Sequence, residues 1–423
     1  MNYKWERKIF KNYEFFLLNL DKNYFAYFPL YHTSIKISKT AFKGASNDNI
    51  DIIDFLFSKI KDKEKIELLE YQYSNSFSPH RVDLALTTRC NLNCHYCHAS
   101  SNSTSIDMPL NIALRAVDYV IENAVSLNKD YFQIGFNGGG EPTVNLELMQ
   151  NIIKYARNKA KDLKKKALFG MATNGYFSVS VYDYIVDNFS HISLSIDGFK
   201  KIHDLHRPTL SGTSSYDIVF QNAKRLNNSH MKNYFIRATV SEKSLLFLED
   251  ILKFFIKEFP NAAGYSFMPI NKLGRGADCI IQSPNELEYI ETFKNLLLEQ
   301  NICDRSKVFF MCGDISSVRS TFCDAFYGPG FNVTSDGHLA SCQRDNLPNT
   351  MYFGKIENDE IIINYERLNK YKKPRIFIEE KCISCFAKYN CGGDCMDLVL
   401  NEQPRCKSIQ LWIAYQIYYL HNN

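Results

Sequence analysis

Beyond residue 80, apolar residues follow two patterns that alternate along the chain. Short apolar runs bounded by turn-forming residues are typical of buried strands, and apolar residues three or four positions apart are typical of amphipathic helices. Strands are predicted at Val82–Leu86, Phe132–Phe136, Ala167–Met171, Ile192–Ile196, Phe235–Val240 and Tyr265–Met268. Helices are predicted at Leu110–Leu127, Leu146–Leu163, Tyr216–Leu226 and Leu246–Phe259. This alternation predicts parallel strands in a barrel or an open α/β sheet, with chemistry at the carboxyl ends of the strands.

The two ends of the chain have different patterns. Aromatic and polar residues alternate between Tyr13 and Ser38, which predicts two strands linked through Asp21–Asn23, and a short helix is predicted near Ile50–Ile60. After a helix predicted at Asn285–Gln300, the chain continues as short strands, turns and cysteines. We therefore predict three domains, at residues 1–79, 80–304 and 305–423.

Composition narrows the classes of partner. The 423 residues are 45% hydrophobic and 23% charged, as in ordinary globular proteins, and the net charge is only +4. No basic cluster indicates nucleic acid or an anionic membrane as the main partner. Because the chain has no secretory signal at Met1 and no apolar run of membrane-spanning length, we expect it in the cytoplasm.

Thirteen cysteines stand out, and most of them are grouped at short spacings. In a reducing compartment such groups indicate metal ligands rather than disulfides. Cys90, Cys94 and Cys97 form a C-x₃-C-x₂-C triplet directly after the first predicted strand. Three thiolates are one fewer than a four-iron cluster takes, so one iron would be open to a small molecule. Zinc is the alternative, since C-x₂-C pairs also bind zinc.

With Tyr96 as its aromatic residue, the triplet reads C-x₃-C-x-aromatic-C and resembles the signature of the radical S-adenosylmethionine (radical SAM) superfamily. The resemblance implies a partial (β/α)6 barrel whose three cysteines hold a [4Fe-4S] cluster. S-adenosylmethionine would chelate the fourth iron, and its reductive cleavage would give a 5′-deoxyadenosyl radical that abstracts a hydrogen atom. A flavodoxin or ferredoxin would donate the electron.

Further motifs follow the later strands. Gly138-Gly139-Gly140-Glu141-Pro142 is similar to the Gly-Gly-Glu-Pro element of the family; its glycines would let the backbone approach the methionine moiety, and Glu141 could accept from the ammonium group. A surface turn or a structural ion pair is the alternative for each motif. The expected S-adenosylmethionine contacts are Tyr96, Gly138, Gly139, Gly140, Glu141, Asn174, Ser195, Arg207 and Arg237.

The cysteines of the last quarter form an array that resembles the SPASM domain, an extension of radical enzymes that modify peptides and proteins. The resemblance implies two auxiliary [4Fe-4S] clusters. The first would be held by Cys323, Cys342 and Cys395, with Cys312 as a candidate fourth ligand. The second would be held by Cys382, Cys385, Cys391 and Cys406. Zinc knuckles are the alternative for the array, and Cys279 and Cys303 lie outside every group.

The resemblance leaves the reaction open between two subgroups. Sulfatase-maturing enzymes share this architecture and carry an aspartate base directly after the second cysteine of the array. Here that position is Gln343, which cannot take a proton at neutral pH. Makers of modified ribosomal peptides often begin with a small domain whose strand pairs with an extended leader peptide. Residues 1–79 could be a degenerate domain of that kind, or a cap over the barrel.

We therefore expect an enzyme that acts on a precursor peptide with a leader and forms an intramolecular thioether or carbon–carbon link. Arg344 and Asp345, next to an auxiliary cluster, are candidates for an acid or base. One alternative is a sulfatase-maturing type of enzyme that oxidises Cys or Ser to formylglycine. Another is a zinc-stabilised protein that binds peptides without catalysis.

Overall fold

The computed structural model describes residues 1–10, 13–68, 76–310, 313–323, 330–343, 351–370 and 372–422. Its strands are β1 (Tyr3–Phe10), β2 (Tyr13–Leu20), β3 (Asn23–Phe28), β4 (Thr33–Ile37), β5 (Arg81–Leu84), β6 (Tyr131–Phe136), β7 (Lys166–Thr173), β8 (His191–Ser195), β9 (Tyr234–Val240), β10 (Gly264–Pro269), β11 (Val308–Phe309), β12 (Gly330–Val333), β13 (His338–Ala340), β14 (Tyr352–Glu357) and β15 (Glu360–Ile363).

Its helices are α1 (Lys39–Ser46), α2 (Ile50–Ser58), α3 (Leu110–Ser126), α4 (Leu146–Asp162), α5 (Val179–Asn188), α6 (Lys200–His206), α7 (Tyr216–Asn227), α8 (Glu242–Leu245), α9 (Leu248–Glu258), α10 (Glu286–Lys294), α11 (Tyr365–Lys370), α12 (Arg375–Ile378), α13 (Glu380–Ile383), α14 (Lys388–Cys391), α15 (Met396–Leu400) and α16 (Cys406–Leu420).

The central sheet contains β5 to β10, all parallel and ordered in space as they are along the chain. Open α/β sheets reverse their strand order at a switch point, whereas sequential order is that of a barrel. The order therefore decides between the two predicted architectures in favour of an incomplete barrel. All six predicted strands are confirmed to within two residues at either end.

Two of the predicted helices differ in detail from the structure. The helix predicted at Leu246–Phe259 is confirmed as α9 and is preceded by a short additional helix, α8, which the capping box of Ser241 and Ser244 starts. The one predicted at Asn285–Gln300 changes after α10 into a π-helical turn, Asn295–Glu299. These changes leave the apolar faces of both helices in the core.

The C-terminal region adds strands to both edges of the central sheet. β11 pairs in parallel with β10, and β12 pairs in parallel with β5 and continues into the antiparallel strands β13 to β15. The chain then ends in α16, a long helix that the predicted pattern of short strands and turns did not include. It packs against α10 through Phe310, whose ring lies 3.9 Å from that of Phe293 and 4.8 Å from that of Trp412, between ring centroids.

The N-terminal region is a four-stranded antiparallel sheet, ordered β1 to β4, rather than the two strands predicted. Asp21 and Lys22 link β2 and β3 with positive φ angles of 46° and 67°, as expected for a tight hairpin turn. Phe16 on β2 faces the main core, and its neighbour Phe15 faces a second core formed with α1 and α2. The sheet is therefore buried on both faces.

Among the described residues, no helix is long and apolar enough to span a membrane.

Candidate functional site

A cavity of about 170 Å³ lies at the carboxyl ends of the central strands. It is lined by the cysteines of the first triplet, Cys90, Cys94 and Cys97. It is also lined by every residue predicted to contact S-adenosylmethionine: Tyr96, Gly138, Gly139, Gly140, Glu141, Asn174, Ser195, Arg207 and Arg237. Residues from the ends of five strands and from the loops that follow them therefore line one cavity.

The loop that carries the triplet is fixed by side-chain amides and a hydroxyl. The Asn102 side chain accepts from the Cys90 backbone N–H at 2.8 Å and donates to the Cys90 carbonyl at 3.1 Å. The Asn174 amide nitrogen lies 3.6 Å from the Cys90 sulfur. The Ser101 hydroxyl lies 3.3 Å from the Cys97 sulfur and donates to the Gly139 carbonyl. Two of the three thiols thus already have polar neighbours that could hydrogen-bond to a bound cluster.

The thiols lie in a poorly solvated environment. Burial raises the pKa of Cys90 to about 12, and the nearby Cys94 and Glu141 add to the rise. Burial also raises the pKa of Cys94 to about 11, although the Arg207 guanidinium opposes it. Metal binding at such thiols must displace their protons. Three cysteines are among the described residues that line the cavity, and three thiols suit a cluster with one open iron.

Among the described residues, no three His, Cys, Asp or Glu side chains lie close enough together to bind a single metal ion.

The glycine loop after β6 packs directly on the backbone that precedes Cys90. A Cβ atom on Gly140 would lie 1.8 Å from the Arg89 carbonyl oxygen. One on Gly139, whose φ is +65°, would lie 2.5 Å from the Thr87 carbonyl oxygen. Glycine is therefore required here for the close approach of two loops. This approach holds the edge of the cavity next to the cysteines.

Glu141 is buried and joins the ends of β6 and β7. One oxygen accepts from the Thr143 backbone, the Thr143 hydroxyl and the Thr173 hydroxyl; the other accepts from the Asn174 backbone at 2.7 Å. Burial raises the pKa of Glu141, and these hydrogen bonds oppose the rise. In the structure, the hydrogen bonds of Glu141 link the loops that follow β6 and β7. The contact of Glu141 with the cofactor's ammonium group stays a prediction.

A buried charged cluster lies next to the cavity through Tyr96 and Arg207, and two of its members, Asp197 and His206, were not predicted as site residues. Asp197 is fully buried: Arg207 Nε lies 3.0 Å from its Oδ2 atom and His206 Nδ1 lies 3.1 Å from the same atom. Tyr96 donates its hydroxyl to Asp197, and the Thr239 backbone donates at 2.9 Å. Burial opposes ionisation of Asp197, but Arg207 and His206 outweigh it and hold its pKa far below the ordinary range.

The positions of these two residues are a signal that the sequence offers. Asp197 follows the end of β8, where cavity residues are expected, and His206 is the last residue of the next helix, directly before Arg207. Through their contacts with Arg207 and Tyr96, Asp197 and His206 fix these predicted cofactor residues.

The remaining wall of the cavity includes Ser195 and Arg237, which are register partners at the paired ends of β8 and β9. Gln343, from the C-terminal region, also lines the cavity. A Cβ atom on Gly138 would lie 3.4 Å from the Gln343 carbonyl oxygen. The predicted ligand Cys312 and the predicted acid–base candidates Arg344 and Asp345 lie outside the described residues.

Four C-terminal cysteines lie close enough to influence one another's protonation. Burial raises the pKa of the Cys385 thiol, the Gln410 amide opposes the rise, and the nearby Cys382 and Cys406 add to it. Burial likewise raises the pKa of Cys391, and Cys385 contributes. These four residues are those predicted to hold the second auxiliary cluster. A group of four thiols suits such a cluster without an open iron.

The segments that carry the other auxiliary cysteines are joined by a buried ion pair. Asp394 accepts from the Cys395 backbone at 2.7 Å and from the Arg405 backbone at 2.6 Å, and the Arg405 guanidinium lies 2.6 Å from the same carboxylate. The guanidinium also lies over the Phe322 ring, 5.3 Å from its centroid. The chain before Cys323 is thereby held against the chain around Cys395.

The N-terminal sheet contacts the predicted second auxiliary site directly. Tyr3 on β1 donates to the side-chain oxygen Oε1 of Gln410 at 3.3 Å, and the side-chain nitrogen Nε2 of Gln410 lies 3.2 Å from the Cys385 sulfur. The Trp5 indole donates to the Ser384 carbonyl at 2.8 Å. Both rings pack on Phe386, at centroid distances of 6.2 and 5.3 Å. β1 therefore covers the cysteine loop from outside.

Glu14, at the start of β2, strengthens this contact. It accepts from the Lys388 ammonium group at 2.7 Å, from the Tyr389 hydroxyl and from Arg7 on β1. Burial raises the pKa of Glu14, but these three donors outweigh burial and lower it below the ordinary value. One carboxylate thus joins two N-terminal strands to α14, which ends at Cys391.

Sequence comparison identifies the barrel. Residues 84–242 match the Radical SAM superfamily. A stretch of 175 residues is 30% identical to the uncharacterised protein MJ0907 of Methanocaldococcus jannaschii; it spans 41% of this chain and 57% of that protein. A longer stretch of 326 residues is 22% identical to a cysteine-type anaerobic sulfatase-maturating enzyme of Clostridium novyi, spanning 76% of this chain and 82% of that enzyme.

Two solved structures are similar in fold. Native anSMEcpe with bound AdoMet and the Kp18Cys peptide gives a TM-score of 0.62 at 21% identity, over 81% of this chain and 98% of that one. Streptococcus suis SuiB bound to the precursor peptide SuiA gives 0.51 at 14% identity, over 95% of this chain and 96% of that one. The similarity to SuiB thus covers nearly the whole of both chains.

Proposed function

Residues 84–242 form a radical SAM domain, and on this premise we propose that the chain is a peptide maturase. Its substrate would be a ribosomally made precursor peptide, from which it takes a hydrogen atom at a side-chain carbon. The product would be an intramolecular thioether or carbon–carbon link. Each link removes two hydrogens from the peptide, one as the abstracted atom and the other as a proton and an electron.

The observation that carries the proposal is the four-stranded N-terminal sheet docked on the C-terminal cysteine region. Trp5, Glu14 and Tyr27 all reach residues between 384 and 390, so the sheet is fixed to that region by hydrogen bonds. Among the described strands, β1 and β4 at the edges of this sheet each pair with one neighbour. An unpaired edge can add an extended peptide as a further strand. Such a sheet suits a leader that must be held while the core peptide reaches the cavity.

Gln343 favours cross-linking over formylglycine formation. It lines the cavity at the position where the sulfatase-maturing subgroup carries its aspartate base. A primary amide does not take a proton at neutral pH. The alternative keeps support from the Clostridium novyi enzyme, which resembles this chain over 82% of its own length.

In this proposal the chain's own residues bind, orient and exclude water. Cys90, Cys94 and Cys97 would hold the first cluster, and Arg207, which Asp197 holds in place, would orient the cofactor carboxylate. When bound, S-adenosylmethionine and the clusters supply hydrogen abstraction and an acceptor for the leftover electron. The glycine loop would keep the cofactor close to the cysteines.

The test starts from anaerobically purified protein. Iron and sulfide are measured first, because a colourless protein that contains zinc would contradict the proposal. A short peptide encoded beside the gene is then incubated with the enzyme, S-adenosylmethionine and dithionite, and its mass is followed. We expect the loss of two hydrogens per link, and no loss with a Cys94→Ala variant. Conversion of a Cys or Ser in a sulfatase peptide to formylglycine, with no change in the precursor, would establish the alternative.

A further inference from the structure

A second groove lies on the N-terminal domain, apart from the cavity with the cysteines. It has a volume of about 570 Å³ and is lined by Tyr13, Tyr31, Asp54, Phe57, Ile60, Lys61, Lys63 and Lys65. Its floor is aromatic: the ring centroid of Tyr13 lies 4.8 Å from that of Phe57 and 6.0 Å from that of Tyr31. Tyr13 is 39% exposed, so an apolar face is open to a partner.

One wall of the groove is basic. The segment after α2 reads Lys61-Asp62-Lys63-Glu64-Lys65, and its three lysines line the groove whereas its two acidic residues do not. Lys61 lies in the turn that follows α2, and Lys63 and Lys65 come after it. Among the described residues that line the groove, three lysines and Asp54 give a net charge of +2.

The segment that carries the lysines is fixed to the domain. The Lys63 ammonium group donates to the Thr33 hydroxyl at 2.7 Å. The Ile66 backbone donates to the Leu30 carbonyl at 2.9 Å, and the Lys63 backbone donates to the Ile60 carbonyl at 2.9 Å. The basic wall is therefore set in place before a partner arrives, which lowers the entropic cost of binding.

We infer that this groove binds an acidic, extended peptide segment that carries an aromatic or aliphatic anchor residue. Acidic side chains on one side of the extended segment would meet the three lysines, and the anchor would pack on Tyr13 and Phe57. Peptide fits better than nucleic acid because Tyr31 is only 7% exposed and the Tyr13 and Phe57 rings are tilted by 54° to each other, so the floor does not offer a row of stacking faces. The inference rests on the proposed function, since the segment would belong to the leader of the precursor.

The test measures binding to the full chain by fluorescence anisotropy. The probe is a fluorescein-labelled synthetic peptide in which glutamates alternate around a central phenylalanine. We expect binding that weakens as salt is raised. The combined substitution Lys61→Gln, Lys63→Gln and Lys65→Gln should weaken it about tenfold, since each exposed ion pair contributes modestly and three act together. A probe with serine in place of the phenylalanine should also bind more weakly.

The matched control is a different groove on the N-terminal sheet, whose lining includes Lys22, Lys36 and Lys39. Replacing these three lysines by glutamine makes the same change in net charge and should leave the affinity within twofold. Equal losses in both triple variants would overturn the inference, because the attraction would then be non-specific. Absence of binding, or tighter binding of a labelled single-stranded oligonucleotide than of the peptide, would also overturn it.

The same variants separate this inference from the proposed function. If the first triple variant cross-links the precursor peptide with an unchanged KM, the groove does not hold the leader and the inference fails, while the proposed function stands. If the wild-type enzyme leaves the precursor unmodified but the acidic probe binds in a lysine-dependent manner, the proposed function fails and the groove still binds an acidic peptide.

Discussion

The buried pair of Asp197 and Arg207 gives the sharpest prediction. Asp197→Asn keeps the shape of the side chain but removes its charge, so the Arg207 guanidinium is left buried without a counter-ion. The amide NH2 group would also face a donor whichever way it is turned, because the Thr239 N–H lies 2.9 Å from one carboxylate oxygen and His206 Nδ1 and Arg207 Nε lie 3.1 and 3.0 Å from the other. Breaking a buried pair by removing one partner costs about 3–5 kcal/mol. We expect a loss of that size in the free energy of unfolding.

The reciprocal variant, Arg207→Met, should cost less than Asp197→Asn, because Asp197 keeps its hydrogen bonds from His206, Tyr96 and the Thr239 backbone. In the double variant no unpaired guanidinium remains. The double variant should therefore lose less free energy of unfolding than the sum of the two single variants, by about 2 kcal/mol or more. Removing both charges together is the step that identifies pairing as the cause.

The assay is urea unfolding of the iron-free protein followed by circular dichroism, with S-adenosylmethionine affinity of the iron-loaded protein as the second measurement. Affinity should fall in both single variants, because Arg207 and Tyr96 line the cavity. Additive losses in the double variant, or a loss below about 1 kcal/mol for Asp197→Asn, would refute the reasoning. The pair would then be a surface-like contact of little energetic weight.

Three further predictions concern other parts of the molecule. Gly140→Ala should displace the loop at Arg89 and lower iron content after reconstitution, whereas Gly170→Ala on β7, whose added Cβ would meet nothing closer than 3.7 Å, should keep it. Gln410→Leu should lower the reduction potential of a proposed cluster at Cys385 by about 40 mV, because a hydrogen bond from Gln410 to the sulfur that favours the reduced state by about 1 kcal/mol would be lost. An EPR-monitored redox titration measures the potential, and an unchanged value would contradict the prediction. Glu14→Gln should lower the free energy of unfolding by about 1–3 kcal/mol at neutral pH. The pKa of Glu14 is lower in the folded state than in the unfolded state, so the carboxylate stabilises the fold above the unfolded-state pKa. This stabilisation is lost as pH falls through the folded-state pKa. The free energies of unfolding of the variant and the wild type, measured in urea, should therefore converge below about pH 4.

The barrel and the contents of the cavity were predictable because their signals are local. Each strand is a short apolar run, and each predicted cofactor residue lies in a strand or at most about twelve residues after one. Parallel strands bring all those positions to one edge whatever the details of packing. Hence motifs that are far apart in the sequence could be assigned to one cavity.

The features that escaped prediction depend on non-local contacts. α16 is buried around most of its surface, so it lacks the polar face that marks an amphipathic helix. β1 reads Tyr-Lys-Trp-Glu-Arg-Lys-Ile-Phe and is largely half-buried, so no clear alternation marks it as a strand. The pairing of Asp197 with Arg207 depends on the path of α6, which only the folded chain defines.

The position of β5 has a consequence for the making of the protein. This strand precedes the Cys90 loop, and its partner on one side is β12, so roughly 245 residues must be added after Leu84 before Gly330 leaves the ribosome. Until then β5 presents an open edge, which invites pairing with other chains. The Ala85 backbone, joined in the folded protein to Val333 and to the Ser335 hydroxyl, is equally exposed during this interval. A chain shortened to residues 80–304 would keep that edge open permanently, so we expect it to aggregate on expression.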